Sequence, residues 1–300
     1  MVYQFDPKAA VEYGNLVNFA YTMYGRATSA TDWTPSYDGL PDQYDFAAWV
    51  RMNDFTPQGK AVPQFYGIIV QRKADPNTFI LAIRGTENVT EWWDDFTAIV
   101  PKAMGGFAGK VGDGFGTIFG SMEVLDSTGS PTTEFGQGFV QQVAAAVTRK
   151  LLGDRVTKGR QERLSAQGRI AIEVTGHSLG SALATLYVAK NASDQQLRIS
   201  RVYTFASPFV GDAEFAASYN ALGIETWRIA NFWDRVPHLP DRLEFKHVNQ
   251  AYPINSWFEV HADLICWHSM QTYLHVIDST IPIDPSCAPL QPDPHYIAGH

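Results

Sequence analysis

The sequence predicts an α/β fold in one domain, residues 1–300, with a mostly parallel central sheet and helices on both faces. Short apolar runs at 170–175, 202–206 and 225–230 are typical of buried strands. Helix-like runs, such as 138–152, alternate with them, and this alternation favours a parallel sheet covered by its connecting helices. No repeat, polar linker or abrupt change in composition divides the chain, so we expect a single domain.

The N-terminal part contributes a helix and a hairpin. From residue 6 to residue 24 apolar side chains recur at helical spacing, and Asp6-Pro7 is typical of a helix N-terminus. Two β-rich runs follow, at 65–71 and 78–83. Residues 74–77, Ala-Asp-Pro-Asn, lie between these runs and predict the turn of a β-hairpin.

Residues 103–120 include seven glycines. A phosphate-binding loop would need glycines at P-loop or dinucleotide-binding spacing after a strand, and this stretch has neither pattern. We therefore predict a flexible surface loop, which could still form part of a lid over a neighbouring site.

The pentapeptide Gly176-His177-Ser178-Leu179-Gly180 lies between the strand-like run 170–175 and the helix-like run 181–189. This order predicts a nucleophile elbow, in which the serine stands at the apex of a sharp strand-to-helix turn. The two glycines are expected for steric reasons, because a side chain at either flank would collide with the neighbouring strand or helix. The helix N-terminus after Ser178 also offers unpaired N–H groups to a developing oxyanion.

Bulk properties exclude several classes of protein. The net charge of −8 argues against a nucleic-acid partner and fits an uncharged substrate better. No apolar run approaches the roughly 20 residues that span a bilayer, and the N-terminus lacks the pattern of a signal peptide. Cys266 and Cys287 form no C-x-x-C zinc motif, and a disulfide and two free thiols both remain open.

Six further segments, in chain order, resemble segments of the fungal-type (class 3) lipases, which are α/β-hydrolases. They include the family's oxyanion segment, its acid-bearing segment and its histidine-bearing segment. The segments are Arg84-Gly85-Thr86, 86–95 with Trp92 and Asp95 at the family's offsets, 110–115, 205–212, 228–237 and 268–273. The sequence departs from the family at Gly112, Ala206 and Phe209, where His, Gly and Arg are usual, and none of these departures removes a catalytic group.

The resemblance implies a catalytic triad in the chain order Ser, Asp, His, which Ser178, Asp234 and His268 satisfy. A serine hydroxyl needs a base within hydrogen-bond reach and a carboxylate that orients the base. His261 is the rival base; His268 is preferred because its spacing to Tyr273 matches the family and a helix-like segment follows.

The oxyanion hole is expected to comprise the backbone N–H groups of Leu179 and Thr86, with the Thr86 hydroxyl as a third donor. The resemblance implies that Asp95 hydrogen-bonds Thr86. It also implies that residues 87–96, with the aromatic side chains of Trp92, Trp93 and Phe96, form a short helical lid that contacts substrate. A surface helix packed on the core fits the same pattern equally well.

The resemblance thus predicts a serine carboxylic-ester hydrolase, with a triacylglycerol lipase favoured over a phospholipase A1 or a short-chain or feruloyl esterase. It implies no metal and no organic cofactor, and a lipid or small ester as the partner, met at a lipid–water interface. An inactive lipid-binding module is the alternative from another class, and the presence of all three triad residues argues against it. The family is often exported, which favours secretion.

Overall fold

The computed structural model of the protein describes residues 3–29, 32–55, 61–86, 99–133, 136–152, 170–194 and 197–289. Within these ranges the strands lie in an eight-stranded sheet and a smaller four-stranded sheet. The strands are β1 (Tyr44–Phe55), β2 (Ala61–Arg72), β3 (Thr78–Ile83), β4 (Pro101–Ala103), β5 (Lys110–Gly112), β6 (Glu123–Asp126), β7 (Ala171–His177), β8 (Arg198–Phe205), β9 (Gly211–Asp212), β10 (Thr226–Asn231), β11 (Phe245–Lys246) and β12 (Ala251–Ile254).

The helices connect and cover the strands. Two short 3₁₀ helices, Val236–His238 and Pro285–Cys287, lie in the C-terminal third. The α-helices are α1 (Pro7–Gly25), α2 (Asp113–Gly120), α3 (Phe139–Leu152), α4 (Leu179–Asp194), α5 (Ala213–Ala221), α6 (Leu264–His268) and α7 (Met270–Ile277). Within the described ranges, none of these helices is both long enough and apolar enough to cross a membrane.

The large sheet has the strand order β12-β10-β8-β7-β3-β2-β1-β6. Neighbouring strands from β12 to β3 are parallel, whereas β3, β2, β1 and β6 pair antiparallel. The predicted hairpin of β2 and β3 and the predicted, mostly parallel sheet are both confirmed. The small sheet, β11-β9-β5-β4, is antiparallel.

Two hydrophobic cores lie on opposite faces of the sheet, and β3 supplies both. Its alternate residues Phe79 and Leu81 pack in one cluster and Ile80 and Ala82 in the other, as the two-residue period of a strand requires. All are fully buried. Helices α2, α3 and α4 contribute to the first cluster, and α1 and α7 to the second.

The first helix begins and packs as its sequence predicts. The Asp6 carboxylate caps the helix by accepting hydrogen bonds from the N–H groups of Lys8 and Ala9, and Pro7 occupies the first turn. Gly14 allows α1 to approach α7 closely, because a Cβ at this position would lie 2.6 Å from Cδ2 of Leu274. The second core is therefore closed by two helices from opposite ends of the described chain.

The prediction of a flexible loop over residues 103–120 is wrong for its second half. That half forms β5 and α2, and Phe115, Ile118 and Phe119 of the helix are buried. At least one glycine serves close packing here, since a Cβ at Gly116 would lie 1.8 Å from the sulfur of Met104. The open question at the two cysteines is also answered, because Cys266 and Cys287 form a disulfide.

Candidate active site

Ser178 occupies the sharp turn between β7 and α4. Its backbone has a φ of +55°, in the left-handed region that side chains other than glycine rarely adopt. Its N–H donates to the carbonyl of Phe205 on the neighbouring strand, at 2.9 Å. The Ser181 hydroxyl, one helical turn on, is 2.7 Å from the carbonyls of both Gly176 and Phe205. The predicted strand–turn–helix is therefore present and is held by hydrogen bonds.

The glycines of the turn meet the steric requirement predicted for them. A Cβ at Gly176 would lie 2.4 Å from the carbonyl oxygen of Gly180. A Cβ at Gly180 would lie 2.4 Å from the carbonyl oxygens of Ile83 and Arg84. These neighbours are backbone atoms, which cannot swing aside as a flexible side chain could. Glycine at 180 therefore lets the start of α4 pack directly on the end of β3.

Asp234 lies in the loop that follows β10, and His268 is the last residue of α6, which follows β12. Nδ1 of His268 lies 2.7 Å from Oδ2 of Asp234, and the two side chains are 3% and 1% exposed. A carboxylate only accepts hydrogen bonds, so Nδ1 carries a proton and donates it. In the neutral imidazole Nε2 is then an acceptor, and the histidine can take a proton from a hydroxyl group.

The Asp234 carboxylate is held by two further hydrogen bonds. The hydroxyl of Tyr273 donates to Oδ2 at 2.7 Å, and the N–H of Val236 donates to Oδ1 at 2.9 Å. Burial, together with the charge of Asp234, raises the pKa of Tyr273 well above its usual value, so the phenol remains a donor. These partners fix the carboxylate in the orientation that meets His268.

The backbone on either side of the pair is braced by Asn231. Its amide nitrogen donates to the hydroxyl of Ser256 and to the carbonyl of Trp267, both at 2.8 Å. Its backbone N–H donates to the hydroxyl of Tyr273 at 3.1 Å. The last residue of β10 is thereby joined to the residue that precedes His268.

Ten buried side-chain polar atoms of the described residues have no hydrogen-bond partner. Oγ of Ser178, Nε2 of His268 and Oγ1 of Thr86 are three of them. A buried polar atom without a partner is costly, and such atoms are expected where a ligand or reacting group completes the bonding. The three residues are those predicted as nucleophile, base and oxyanion donor.

His177 is engaged by two hydrogen bonds and is not available as a base. Its Nε2 lies 2.8 Å from the carbonyl oxygen of His268 and must donate to it. Its Nδ1 then accepts a hydrogen bond from the hydroxyl of Tyr21, at 2.8 Å. Burial, reinforced by the neighbouring His268, lowers the pKa of His177 well below its usual value, which keeps the ring neutral. The rings of His177 and His268 lie 4.6 Å apart.

Thr86 and Leu179, the predicted oxyanion donors, lie on the two sides of Ser178. Leu179 is the first residue of α4, so its N–H belongs to the unpaired first turn of a helix. The end of β3 comes close to the serine from the other side, since a Cβ at Gly85 would lie 2.8 Å from Cβ of Ser178. Thr86, the next residue, is buried.

A cavity of about 700 Å³ opens beside these residues. Its wall includes Thr86, His177 and His268, and it continues along Ile265 and residues 282–285. The disulfide joins this outer wall to α6, the helix that ends at His268. A volume of this size accommodates an organic ligand of moderate length.

Several predicted site residues are not placed. Asp95 and the predicted lid, with Trp92, Trp93 and Phe96, lie outside the described residues. Their roles stay predictions. The rival base His261 is placed, and the described hydrogen bonds of Asp234 go to His268 rather than to it.

Sequence reasoning missed Tyr21 and Ser256 as parts of this site. Tyr21 lies on α1, 156 positions from its partner His177, and Ser256 is 25 positions from Asn231. Neither stands in a motif, and no local pattern signals contacts over such distances. Asn231, in contrast, lies in segment 228–237, which resembles the acid-bearing segment of the family, and that resemblance could have indicated its place in the site.

The chain is similar to known proteins in sequence and in fold. The family model described as Lipase (class 3) matches residues 80–244, which is more than half of the chain. The matched region runs from β3 through the serine turn and Asp234 to the start of β11, and it stops before His268.

Two plant enzymes and one fungal structure illustrate the similarity. Phospholipase A1-II 3 of Oryza sativa subsp. japonica is 27% identical over 232 residues, covering 70% of this chain and 51% of the relative. Phospholipase A1-IIbeta of Arabidopsis thaliana is 23% identical over 215 residues, covering 67% and 49%. The chain thus spans about half the length of these curated relatives. The triacylglyceride lipase of Rhizomucor miehei superposes with a TM-score of 0.55 at 20% identity, covering 85% of this chain and 82% of that one.

Proposed function

Because the chain belongs to the class 3 lipase family and has the α/β-hydrolase fold, we propose that it hydrolyses carboxylic esters of acylglycerol lipids. One observation carries the proposal. Beside the turn that bears Ser178, a buried His268 is bonded to Asp234 through Nδ1 and has an unpaired Nε2. A hydroxyl, a base and a carboxylate that orients the base are the parts that acyl transfer to serine requires.

In the proposed reaction the Ser178 oxygen attacks the ester carbonyl carbon while Nε2 of His268 takes the hydroxyl proton. The carbonyl oxygen becomes an oxyanion that accepts hydrogen bonds from the N–H groups of Leu179 and Thr86. When the tetrahedral intermediate collapses, the C–O bond to the alcohol breaks, and His268 returns the proton to the leaving alkoxide. Water then repeats the sequence on the acyl-enzyme and releases the fatty acid, which restores Ser178.

Asp234 orients the base and stabilises its charged form. During each step His268 is transiently an imidazolium, and the carboxylate 2.7 Å from Nδ1 offsets that positive charge in a buried site. The Tyr273 hydroxyl and the Val236 N–H keep the carboxylate from rotating away.

A cluster of seven apolar side chains, five of them exposed, supports a lipid surface as the source of substrate. Trp233, Trp257 and Trp267 stack on one another, with ring centroids 4.1 to 6.1 Å apart. Trp233 directly precedes Asp234, and Trp267 directly precedes His268. Exposed neighbours in the same segments are Phe232, Phe258, Leu264 and Ile265. We call these seven side chains the aromatic patch.

The aromatic patch borders the cavity, since Ile265 belongs to both. Apolar patches on a solvent-exposed face mark contact with another apolar surface. Tryptophan is enriched at membrane interfaces, where one end of its ring meets lipid and the other meets water. A lipid aggregate docked there would present its acyl esters at the mouth of the cavity. This supports a lipid substrate over a small soluble ester.

Triacylglycerol is the first candidate substrate, on the resemblance of the sequence motifs. A phospholipid cleaved at one acyl ester is the second candidate, and the similarity to the two plant phospholipases A1 favours it. Both candidates use the same chemistry at Ser178. They differ only in what occupies the third position of the glycerol.

The nucleophile is tested with Ser178→Ala and a matched serine, Ser218→Ala, which lies exposed on α5. We expect Ser178→Ala to lose ester hydrolysis and labelling by a fluorophosphonate while its circular dichroism stays unchanged. Ser218→Ala should match the wild type. Retained hydrolysis in Ser178→Ala would overturn the assignment, and failure of the native protein to take the label would favour an inactive lipid-binding module.

The substrate class is tested on three substrates with the native protein. These are a triolein emulsion, phosphatidylcholine vesicles with different acyl chains at the two positions, and soluble nitrophenyl esters. Hydrolysis of triolein well above that of phosphatidylcholine supports the first candidate, and the reverse, with release from one position, supports the second. Preference for short soluble esters over both lipids would contradict the proposal.

A further inference from the structure

Arg84 is a buried cation at the end of β3. Its side chain is 1% exposed and lies between two tyrosine rings, with Cζ 3.7 Å from the ring centroid of Tyr24 and 4.1 Å from that of Tyr66. No carboxylate among the described residues hydrogen-bonds to it or forms an ion pair with it. A buried charge without a counter-ion costs free energy unless other contacts compensate, so the N–H groups of Arg84 need other hydrogen-bond acceptors.

All the described hydrogen bonds of the guanidinium go to backbone carbonyls. Nε and Nη2 donate to the carbonyl of Phe65 on β2, at 3.1 and 2.8 Å. Nη1 donates to the carbonyl of Gly85, at 2.6 Å. Arg84 therefore ties the residue that follows it to the neighbouring strand.

Gly85 is held from its other side by Tyr21. The N–H of Gly85 donates to the Tyr21 hydroxyl at 2.8 Å, and that hydroxyl donates in turn to Nδ1 of His177. A Cβ at Gly85 would lie 2.6 Å from the Tyr21 oxygen, so no other residue fits this approach. Both backbone polar groups of Gly85 are thus fixed, one by the buried side chain of Arg84 and the other by the half-buried side chain of Tyr21.

The carbonyl of Gly85 and the N–H of Thr86 belong to one planar peptide unit. In a trans peptide the two groups point in opposite directions, so fixing the carbonyl fixes the direction of the N–H. We propose that Arg84, which holds this peptide, and Tyr21, which holds the preceding peptide through the Gly85 N–H, are positioning residues that together fix Gly85 and aim the Thr86 N–H at the oxyanion. The inference rests on the proposed function, since it supposes that Thr86 is an oxyanion donor.

Preorganisation explains why an arginine is useful at this position. A donor aimed in advance at the developing charge stabilises the transition state without reorientation during the reaction. The planar guanidinium offers donors in fixed directions and can bond Phe65 and Gly85 at once, which neither an aliphatic side chain nor an ammonium group can do in the same geometry.

The same hydrogen bonds connect the two halves of the site. From the Gly85 N–H the chain passes through the Tyr21 hydroxyl and the His177 ring to the carbonyl of His268. Three hydrogen bonds in series therefore connect Gly85, which precedes the predicted oxyanion donor, to the backbone of His268, the predicted base. Loss of the Tyr21 hydroxyl should disturb both ends at once.

The experiment uses Tyr21→Phe, Arg84→Met and Arg84→Lys, with Tyr24→Phe as the matched control. Tyr24 packs on the same guanidinium from the same helix, and its hydroxyl makes no hydrogen bond with the described residues. Five quantities are measured. They are kcat and KM on a soluble nitrophenyl ester, the thermal unfolding midpoint, the affinity for a trifluoromethyl ketone, whose adduct with Ser178 carries an oxyanion, and the affinity for an ether analogue of the substrate, which reports ground-state binding.

We expect Tyr21→Phe and Arg84→Met to lower kcat by about tenfold or more, since removing a whole oxyanion donor costs about 10²–10³-fold. KM and ether binding should stay within about twofold, and the ketone affinity should fall by the same factor as kcat. Arg84→Lys, which still offers a donor to the Gly85 carbonyl, should recover part of the loss. Tyr24→Phe should behave as the wild type.

Two results would overturn the inference. One is a wild-type kcat and ketone affinity in Tyr21→Phe, the milder variant. The other is an equal loss of ketone and ether binding, which would indicate general damage to the cavity. Because Ser178→Ala tests the proposed function separately, normal rates in these variants alongside Ser178-dependent turnover would remove only the positioning role.

Discussion

The carboxylate of Asp234 lies 2.7 Å from Nδ1 of His268, and both side chains are almost fully buried. The two residues reach each other from segments that follow different strands, 34 positions apart in the chain. In such a pair the carboxylate sets the tautomer of the histidine and the direction of Nε2. The chemistry proposed at Ser178 therefore depends on the charge of Asp234 and on its orientation.

Replacing Asp234 with asparagine tests the role of its charge and of its hydrogen bond to His268 in catalysis, in a variant that should still fold. We expect Asp234→Asn to lower kcat by about 10³–10⁴-fold, because the amide can favour the wrong histidine tautomer and supplies no charge. The measurement is kcat on a soluble nitrophenyl ester, beside the circular dichroism spectrum. Tyr273→Phe is the control that keeps the carboxylate and removes one of its hydrogen bonds, and its loss should be far smaller. A rate within threefold of wild type in Asp234→Asn would contradict the triad.

The packing of the serine turn predicts a large difference between two glycines. Gly180→Ala should lower the free energy of unfolding by about 2 kcal/mol or more, because the new Cβ would lie 2.4 Å from two backbone carbonyl oxygens. Gly120→Ala is the matched control at the end of α2, where a Cβ meets nothing within 4 Å. We expect it to be neutral or slightly stabilising. Urea unfolding of both variants tests the pair, and equal effects would show that the tight approach at 180 is relieved elsewhere.

The serine turn was predictable because its signal is local. A strand pattern, two glycines and a helix pattern follow one another in the sequence around Ser178, and each supports the same interpretation. Asp234 and His268 were reached differently, by chain order and resemblance, since nothing in their immediate sequence separates them from other acids and histidines. Tyr21 was beyond reach, because its two hydrogen bonds connect segments far apart in the chain.

Several parts of the fold were missed by sequence analysis, and two of them have a clear physical reason. β1 carries register shifts between Phe46 and Ala48 and between Val50 and Arg51, which interrupt the alternation that marks a strand. In the stretch of residues 103–120 the glycines suggested freedom, whereas at Gly116 the absence of a side chain admits Met104. The sequence alone does not distinguish a glycine that gives the backbone flexibility from a glycine that allows close packing.

The aromatic patch predicts a substrate-dependent loss. Phe258 is 87% exposed, and replacing it with serine removes apolar area that would enter a lipid surface. Burial of such a side chain contributes about 1.5–3 kcal/mol, so activity on an emulsion should fall by about tenfold or more. Activity on a soluble ester should be unchanged, because Phe258 makes no described contact with Ser178, Asp234 or His268.

The control for this prediction is Tyr37→Ser. Tyr37 is 41% exposed and stacks on Phe46 of β1, towards the other end of the sheet from β10 and β12. Its loss should leave both activities near wild type. Vesicle co-sedimentation measures binding directly, and equal binding by Phe258→Ser and Tyr37→Ser would remove the patch from the proposed lipid contact.

His247 should make the protein sensitive to acid. Its ring stacks on Phe209 at 3.8 Å, and Nε2 donates to the carbonyl of Pro237 at 2.8 Å. Burial, with a smaller contribution from the charge of Arg228, lowers its pKa to about 3. In the unfolded chain the pKa is about 6.5, so between these values the unfolded state binds more protons and the free energy of unfolding falls as the pH falls.

At pH 4.5 this difference amounts to roughly 2 kcal/mol relative to pH 7. His247→Gln retains an N–H donor without a titrating group, so its free energy of unfolding should fall less between pH 7 and pH 4.5, by about that amount. His238→Gln, at an exposed histidine nearby, is the control variant and should keep the wild-type dependence. Urea unfolding at the two pH values measures the difference. An identical fall in His247→Gln and wild type would mean that acid sensitivity arises elsewhere, and His177, whose lowered pKa acts in the same direction, would be the next residue to replace.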